Sequence, residues 1–414
     1  MTIQKPKLEL LSPVGDPESL DAALRFGADA VFLGGSFLQL RASAAGFSDE
    51  KLAKAAKKVH AAGKKLYVTV NSFAYSHEIP QVGDYVRFLK DCGVDAIIVS
   101  DIGVLAEAKA CCPEMEVHIS TQANTMNYRA AQVYYDMGAT RVVLARELSL
   151  EEIMEFRARA PKDLEMEAFV HGAMCMSYSG RCLISAYLTG RSGNRGECAQ
   201  PCRWSYHLEE EKRPGEYFPI EEDEHGTTIL SSRDMCALPL IKQLAEAGII
   251  SFKIEGRMKS PFYIASVTNA YRMALDGTGT FEDAAKELCS ISHRPYTAGF
   301  YIGQPGSPED LASLGDLLVS GKADGEYVRE CTFVATAAAD SAANGLVPIV
   351  TRNFFRLGDT LEVLSPGRPG IPFTLEYMEN AEGQPMEKSN QPLKTVFVRC
   401  PFPVKEGDLL RMRK

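Results

Sequence analysis

Cys175, Cys182, Cys198 and Cys202 fall within residues 167–204, EAFVHGAMCMSYSGRCLISAYLTGRSGNRGECAQPCRW, with six, fifteen and three residues between successive members. Five glycines (Gly172, Gly180, Gly190, Gly193, Gly196) and the only tryptophan, Trp204, share the stretch. Thiolates are soft ligands, and four of them gathered by glycine-rich turns suit a metal ion or an iron–sulfur cluster. Structural zinc sites commonly use two short C-x₂₋₄-C knuckles. Only Cys198 and Cys202 come near that spacing; Cys175 and Cys182 stand too far apart. An irregular set with longer spans suits a cluster better, with zinc and incidental or redox-active thiols as the other readings. Arg181, Arg191 and Arg195 either compensate thiolate charge or are solvated loop residues. A nucleophilic cysteine peptidase is a further reading, and it needs a base such as His171 within reach of Cys175. No second residue is marked to orient that base, and a peptidase gives no reason for four clustered thiols.

The other seven cysteines (Cys92, Cys111, Cys112, Cys236, Cys289, Cys331, Cys400) are scattered through apolar or helical contexts. There a free Cys is ordinarily a small buried hydrophobe. The opening MTIQKPKLEL has no signal-peptide hydrophobic region, and no window reaches the roughly 20 apolar residues of a membrane span. A cytoplasmic protein with reduced thiols is expected, not a disulfide framework. The 414 residues, 45% hydrophobic and 24% charged, allow two or three globular domains. A net charge of −9, with acid concentrated at Glu209–Glu211 and Glu221–Glu224, argues against non-specific coating of nucleic acid. Lys51, Lys54, Lys57, Lys58, Lys64 and Lys65 crowd one helix and its exit turn. They form a phosphate-binding face or, more simply, a solvated helix surface.

The elements that must position the cysteines alternate. Apolar runs at 8–15, 28–35, 65–72, 95–101, 116–124, 141–149, 164–172 and 250–257 read as buried strands. Helical patterns follow at 17–27, 49–62, 80–92, 102–111, 128–137, 150–158, 237–247 and 261–276, with the cysteine stretch interrupting after the seventh strand. Repeated βα units with apolar strands imply a parallel sheet covered on both faces. Eight units predict a (β/α)₈ TIM-type barrel over residues 1–276 with 167–204 inserted, an open doubly wound sheet being the alternative. No G-x-G-x-x-G or P-loop follows any strand, so a dinucleotide or NTP site is not supported.

A barrel places chemistry at the C-terminal ends of its strands. Those ends carry Ser12, Asn71, Asp101, Thr121, Gln122, Asn124, Arg146, Glu147, His171, Glu255 and Arg257. Helix capping and loop hydrogen bonding are the plain reading of each alone; together they mark one polar rim. His171, Glu255, Arg257 and Gln122 are the candidates for catalysis, and Arg41, Asn71, Asn124 and Arg146 for holding substrate. Residues 277–325, rich in Gly, Pro and Ser, read as a connection. From 326 to 414 short alternating strands with turns about every ten residues predict a small all-β barrel.

Residues 167–185, EAFVHGAMCMSYSGRCLIS, resemble the signature of the collagenase-like peptidase family of unknown catalytic type. ELLSPVGDPESLDAALRFGADAVFLG at the start, STQANTMN (120–127), NRGECAQPCRW (194–204) and SFKIEGRMKSPFY (251–263) extend the resemblance over essentially the whole chain. Within that family the chain looks most like the tRNA uridine hydroxylation branch, implicated in forming 5-hydroxyuridine at the wobble position by a prephenate-dependent route. Sister branches hydroxylate a ribosomal RNA cytidine, or ubiquinone precursors without dioxygen, and hold a four-cysteine [4Fe–4S] cluster. The resemblance therefore implies Cys175, Cys182, Cys198 and Cys202 as cluster ligands. Cys236, in SSRDMCAL, is the nearest competitor and reads as the start of a helix. The resemblance also implies prephenate as co-substrate, a small dicarboxylate suited to Arg41, Arg146 and Arg257. It implies an unstacked base of a tRNA anticodon loop as substrate, with the C-terminal β-barrel gripping the RNA. The family label keeps a peptidase as one alternative, and a zinc-stabilised RNA-binding protein is another.

Overall fold

The computed structural model describes residues 8–40, 46–175, 177, 180–204, 207–209, 217–219, 233–319 and 327–413. These group into two compact units. One draws on Met1–Asp16, Ala30–Met258 and Arg294–Glu326, the other on Pro17–Asp29, Lys259–His293 and Tyr327–Lys414.

The first unit is built on eight parallel strands. They are β1 (Glu9–Pro13), β2 (Ala30–Gly34), β3 (Lys65–Val70), β4 (Ala96–Val99), β5 (Glu116–Ile119), β6 (Arg141–Val143), β7 (Glu165–Ala173) and β8 (Ser251–Ile254). Each pairs with the next in chain order, and β8 pairs with both β7 and β1, so the sheet closes into a barrel. Most strand-to-strand crossings run through a helix whose start is chemically marked. Ser48 caps Asp49–Ala61, Asp101 caps Ile102–Cys111, Asn127 caps Tyr128–Asp136, and Ser149 with Glu152 forms a capping box on Leu150–Arg159. The polar end of β4 is thus a helix cap, the plain reading for Asp101. Lys51, Lys54, Lys57 and Lys58 lie exposed on the helix Asp49–Ala61, with Lys54 paired to Glu50 at 2.6 Å. Among the described residues no helix is long and apolar enough to cross a membrane.

The strands are not continuously apolar, as the sequence pattern suggested. Side chains alternate in direction, so every second residue points into the barrel. Leu66 and Val68 face the helices, while Tyr67 turns inward, its hydroxyl donating to Glu9 at 2.7 Å. Arg141 donates to Glu9 at 2.6 Å, to Glu165 at 2.8 Å and to Glu167 at 3.1 Å, with Ser251 bridging Glu9 and Glu167. This end of the interior is an ionic layer, and the apolar cluster of Leu11, Ala30, Phe32, Ala96 and Ile98 adjoins it. Burial acts to raise the Glu167 carboxyl, but Lys253, then Arg141, more than reverse this and hold it at about 2. His118, in the same layer, is pushed down by burial and then by Arg141, which keeps its ring neutral.

After β7 the chain leaves the barrel and returns as a strand Asp234–Cys236, antiparallel to the end of β7, with Cys236 opposite His171. Cys236 therefore ends a strand instead of starting a helix; a 3₁₀ turn Leu238–Leu240 separates it from the helix Ile241–Glu246. Asp234 is clamped by Arg294 at 2.7 Å, which fixes this return. Residues 277–325, read from sequence as a connection, contain the helices Phe281–Ser290 and Pro308–Leu314 and the short strand Tyr296–Thr297.

The second unit holds an antiparallel seven-stranded half-barrel, in the order Ile371–Thr374, Thr360–Leu364, Leu409–Arg413, Cys331–Ala337, Leu346–Thr351, Thr395–Arg399 and Met378–Glu379. Its core is formed by Val334, Ile349, Phe355, Leu361, Val363, Phe373 and Val398. Arg411 is almost wholly buried between Glu287 (2.6 Å) and Glu362 (2.7 Å), a pairing that makes its burial tolerable.

Candidate active site in the barrel mouth

The C-terminal ends of the strands surround a cavity of about 170 Å³ accessible to water, well beyond the roughly 15 Å³ one ordered water requires. Phe32, Thr69, Asn71, Ile98, Ser120, Phe169, Lys253 and Glu255 contribute from inward-facing strand and strand-end positions. The cysteine segment forms the rest of the wall: Cys175, Cys182, Cys198 and Cys202 all line it, with Gly180, Ile184, Asn194 and Gln200. Cys175 is exposed and the other three are half-buried, and none is in a disulfide.

Two glycines let the segment come this close. Gly172, at φ +108°, has Glu255 against the place its Cβ would occupy (backbone oxygen 2.5 Å), and the Glu255 N–H donates to the His171 carbonyl at 2.8 Å. Gly180, at φ +74°, lies against the Gln122 carbonyl; a Cβ there would be 2.1 Å from that oxygen. The G-R-C motif thus owes its glycine to contact with the turn after β5. Arg195 tethers the segment's far side. Its guanidinium takes both oxygens of Glu78 at 2.7 and 2.9 Å, donates to the Phe73 carbonyl and lies over the Tyr75 ring. The Glu78 carboxyl is lowered, chiefly by that hydrogen bond. Arg195 is therefore a fastener, while Arg181 and Arg191 are exposed.

The cationic side chains at the cavity are held by different means. Arg146 stacks over Phe169 at 3.8 Å and donates to the Ala173 carbonyl at 3.0 Å. Arg257 donates to Thr69 at 2.9 Å, to Gln39 at 3.4 Å and to the Leu40 carbonyl. Lys253, which the sequence reading passed over, donates to Glu167 at 2.7 Å and lies 4.4 Å from the centre of the Phe32 ring. Asn71 is oriented by accepting from the Leu40 N–H at 3.3 Å and donating to Ser120 at 3.4 Å. Asn71, Gln122, Arg146, Glu255 and Arg257 are thus gathered at one cavity with the four thiols.

Three candidates are not gathered there. His171 is 1% exposed, its ring tilted against Tyr296 at 5.4 Å, and it is not among the lining residues. The β7–β8 register shifts between Lys253 and Ile254, beside His171, where the inward alternation breaks. Asn124 closes the 3₁₀ turn Thr121–Ala123 at φ +55° and is likewise not a lining residue. Arg41 lies outside the described residues. Cys236 is fully buried in its strand and does not line the cavity.

A thiolate-held group suits this wall in donor type. The Gln200 N–H donates to Cys198 Sγ at 3.4 Å, a contact that stabilises a sulfur carrying negative charge. Among the described residues, however, no three His, Cys, Asp or Glu side chains stand close enough to hold one metal ion. The four sulfurs share a cavity without being drawn into a ligating cluster.

The family model described as Peptidase family U32 matches residues 15–310, and the one described as Peptidase family U32 C-terminal domain matches residues 329–411. A protein of Escherichia coli K12 named tRNA hydroxylation protein P is 36% identical, the match covering 98% of this chain and 97% of that protein. Its Bacillus subtilis counterpart, tRNA hydroxylation protein P1, is 34% identical over 99% of this chain and 95% of its own length. A 23S rRNA 5-hydroxycytidine synthase of Escherichia coli K12 is 38% identical over 67% of this chain and 40% of that protein.

Proposed function

The chain belongs to peptidase family U32, and from that membership and the residues at its barrel mouth we propose an enzyme that hydroxylates RNA, specifically carbon 5 of a tRNA wobble uridine. The observation that carries this reading is the meeting of four cysteines outside any disulfide with Asn71, Gln122, Arg146, Glu255 and Arg257 at one cavity. Relatives matched over nearly their whole length are named for tRNA hydroxylation, and another is named for making 5-hydroxycytidine in ribosomal RNA. 5-Hydroxycytidine differs from cytidine by one oxygen at a pyrimidine carbon 5, the change proposed here for uridine.

In this reading Cys175, Cys182, Cys198 and Cys202 hold a [4Fe–4S] cluster, which would supply electron-transfer chemistry at the wall. Arg146 and Arg257, with Lys253 below, give the cavity a positive field suited to a dicarboxylate such as prephenate. Asn71 and Gln122 offer amides for the edge of a pyrimidine, and Glu255 offers a carboxylate that can exchange a proton with the bound base. The wobble base leaves its stack to enter, which a single-stranded loop permits at low cost. Such an enzyme works in the cytoplasm, with its tRNA.

The peptidase reading needs His171 as a base beside Cys175. The burial of His171 against Tyr296, away from the cavity lining, weighs against it. A zinc-stabilised RNA-binding protein would use the same four thiols. Mass spectrometry of tRNA nucleosides from a deletion strain lacking any paralogue is the test. 5-Hydroxyuridine should disappear and return with the wild-type gene but not with Cys175→Ser; an undiminished pool sinks the assignment. Anaerobic purification should yield iron and sulfide, whereas stoichiometric zinc without iron favours the binding protein.

A further inference from the structure

The helix Ile184–Thr189 is unevenly buried. Ile184 lines the cavity and Ser185 is buried, its hydroxyl accepting from the Ala199 N–H at 3.0 Å. Beside them Tyr187 is 89% exposed and Leu188 48%, while Leu183, the residue before the helix, is 71% exposed. The helix packs on the turn Pro201–Arg203, and Trp204, the next residue, is 47% exposed. Arg181 and Arg191 flank the helix in sequence, and both are exposed.

The ring and two leucines leave an apolar surface beside the cavity wall that a partner can cover. Flanking charge says which. In a chain of net charge −9, exposed arginines stand just before and just after this helix and its accessible aromatic ring in sequence. Single-stranded nucleic acid is bound by that combination: bases stack on aromatic faces while cations meet the phosphates.

Resting on the tRNA reading above, we infer that the exposed surface of this helix is a docking platform for the single-stranded loop of the RNA substrate. Tyr187 stacks a nucleotide neighbouring the one that enters the cavity, Leu183 and Leu188 cover its apolar surroundings, and Arg181 and Arg191 meet the backbone. One helix then serves both as cavity wall and as RNA stand, which ties the depth of base insertion to the cysteine segment.

The test uses the full-length, anaerobically purified protein and a synthetic unmodified anticodon stem-loop, with affinity read by fluorescence anisotropy at several salt concentrations. Tyr187→Ala should weaken binding at least fivefold while iron content and melting temperature hold, and Tyr187→Phe should restore it. Arg181→Ala and Arg191→Ala together should flatten the dependence of affinity on salt by the equivalent of one or two phosphate contacts. Unchanged affinity in Tyr187→Ala, beside a wild type that binds, overturns the platform and leaves the tRNA assignment standing. A wild type that binds no stem-loop overturns both. A Tyr187→Ala protein that loses self-association and keeps its RNA affinity also overturns the platform, and assigns the face to a second copy of the chain.

Discussion

Lys253 and Glu167 meet at 2.7 Å on neighbouring strands β8 and β7, where the ionic layer of the barrel gives way to the cavity. Glu167 is completely buried and also accepts from Arg141 at 3.1 Å, so one carboxylate connects the barrel's interior charges to the cavity floor. Replacing it leaves two buried cations facing a neutral group. Glu167→Gln should therefore destabilise the protein by about 3–5 kcal/mol in urea denaturation.

The same carboxylate makes a prediction in acid. Its folded value of about 2 lies below the ordinary 4.5, so its contribution is fully present above about pH 4.5 and fades as pH falls toward 2. The difference corresponds to roughly 3 kcal/mol. Wild type should lose that increment between pH 4.5 and 2, and Glu167→Gln should not. Parallel stability curves for the two proteins through this window would refute the account.

Single Cys→Ser changes at Cys175, Cys182, Cys198 and Cys202 should each lower the iron and sulfide recovered after anaerobic purification, because all four line one wall. Cys236→Ala should leave the iron content at the wild-type level, since that thiol is buried in its strand and does not line the cavity. Iron lost in Cys236→Ala and retained in Cys198→Ser would reassign the ligand set.

Gly180→Ala pushes a methyl group into the Gln122 carbonyl and asks an L-residue to adopt φ +74°. The contact is between the inserted segment and a turn at the rim. Hydroxylation and iron loading should thus fall severely while the melting temperature moves by only a few degrees. A large loss of global stability with normal iron would contradict this.

Arg195→Ala removes the bidentate grip on Glu78, a partly buried charge-assisted pair worth about 1–3 kcal/mol. The expected result is faster proteolytic cutting and faster amide exchange within residues 180–204, with the strands β1–β8 protected as before. Glu78→Gln should reproduce it in weaker form.

The barrel was legible because short apolar runs kept recurring between helical ones, and its rim because so many runs ended on Asn71, Gln122, Arg146 or Glu255. The interior charges were hidden by the same runs. In SFKI and EMEAFV the inward positions Lys253 and Glu167 sit between large apolar neighbours, so each strand reads as buried while its alternation passes unnoticed. The polar residue at every second position was the available signal. Arg195 and Glu78 are 117 residues apart, and no local pattern joins them. Cys236 read as a helix start because the residues after it do turn helical. Its strand exists through pairing with β7, more than sixty positions earlier, and with Tyr296–Thr297, more than sixty later. His171 was placed at the rim by counting along β7, and the register shift beside it is invisible in one dimension.

The order of the strands along the chain has a consequence for how the molecule is made. β8 is the strand that shuts the barrel, and it lies beyond all four cysteines of the insert. A chain growing from its N-terminus therefore presents those thiols before the ring that will shelter them exists. The last strand then closes the ring of eight, with the four thiols already in place above it.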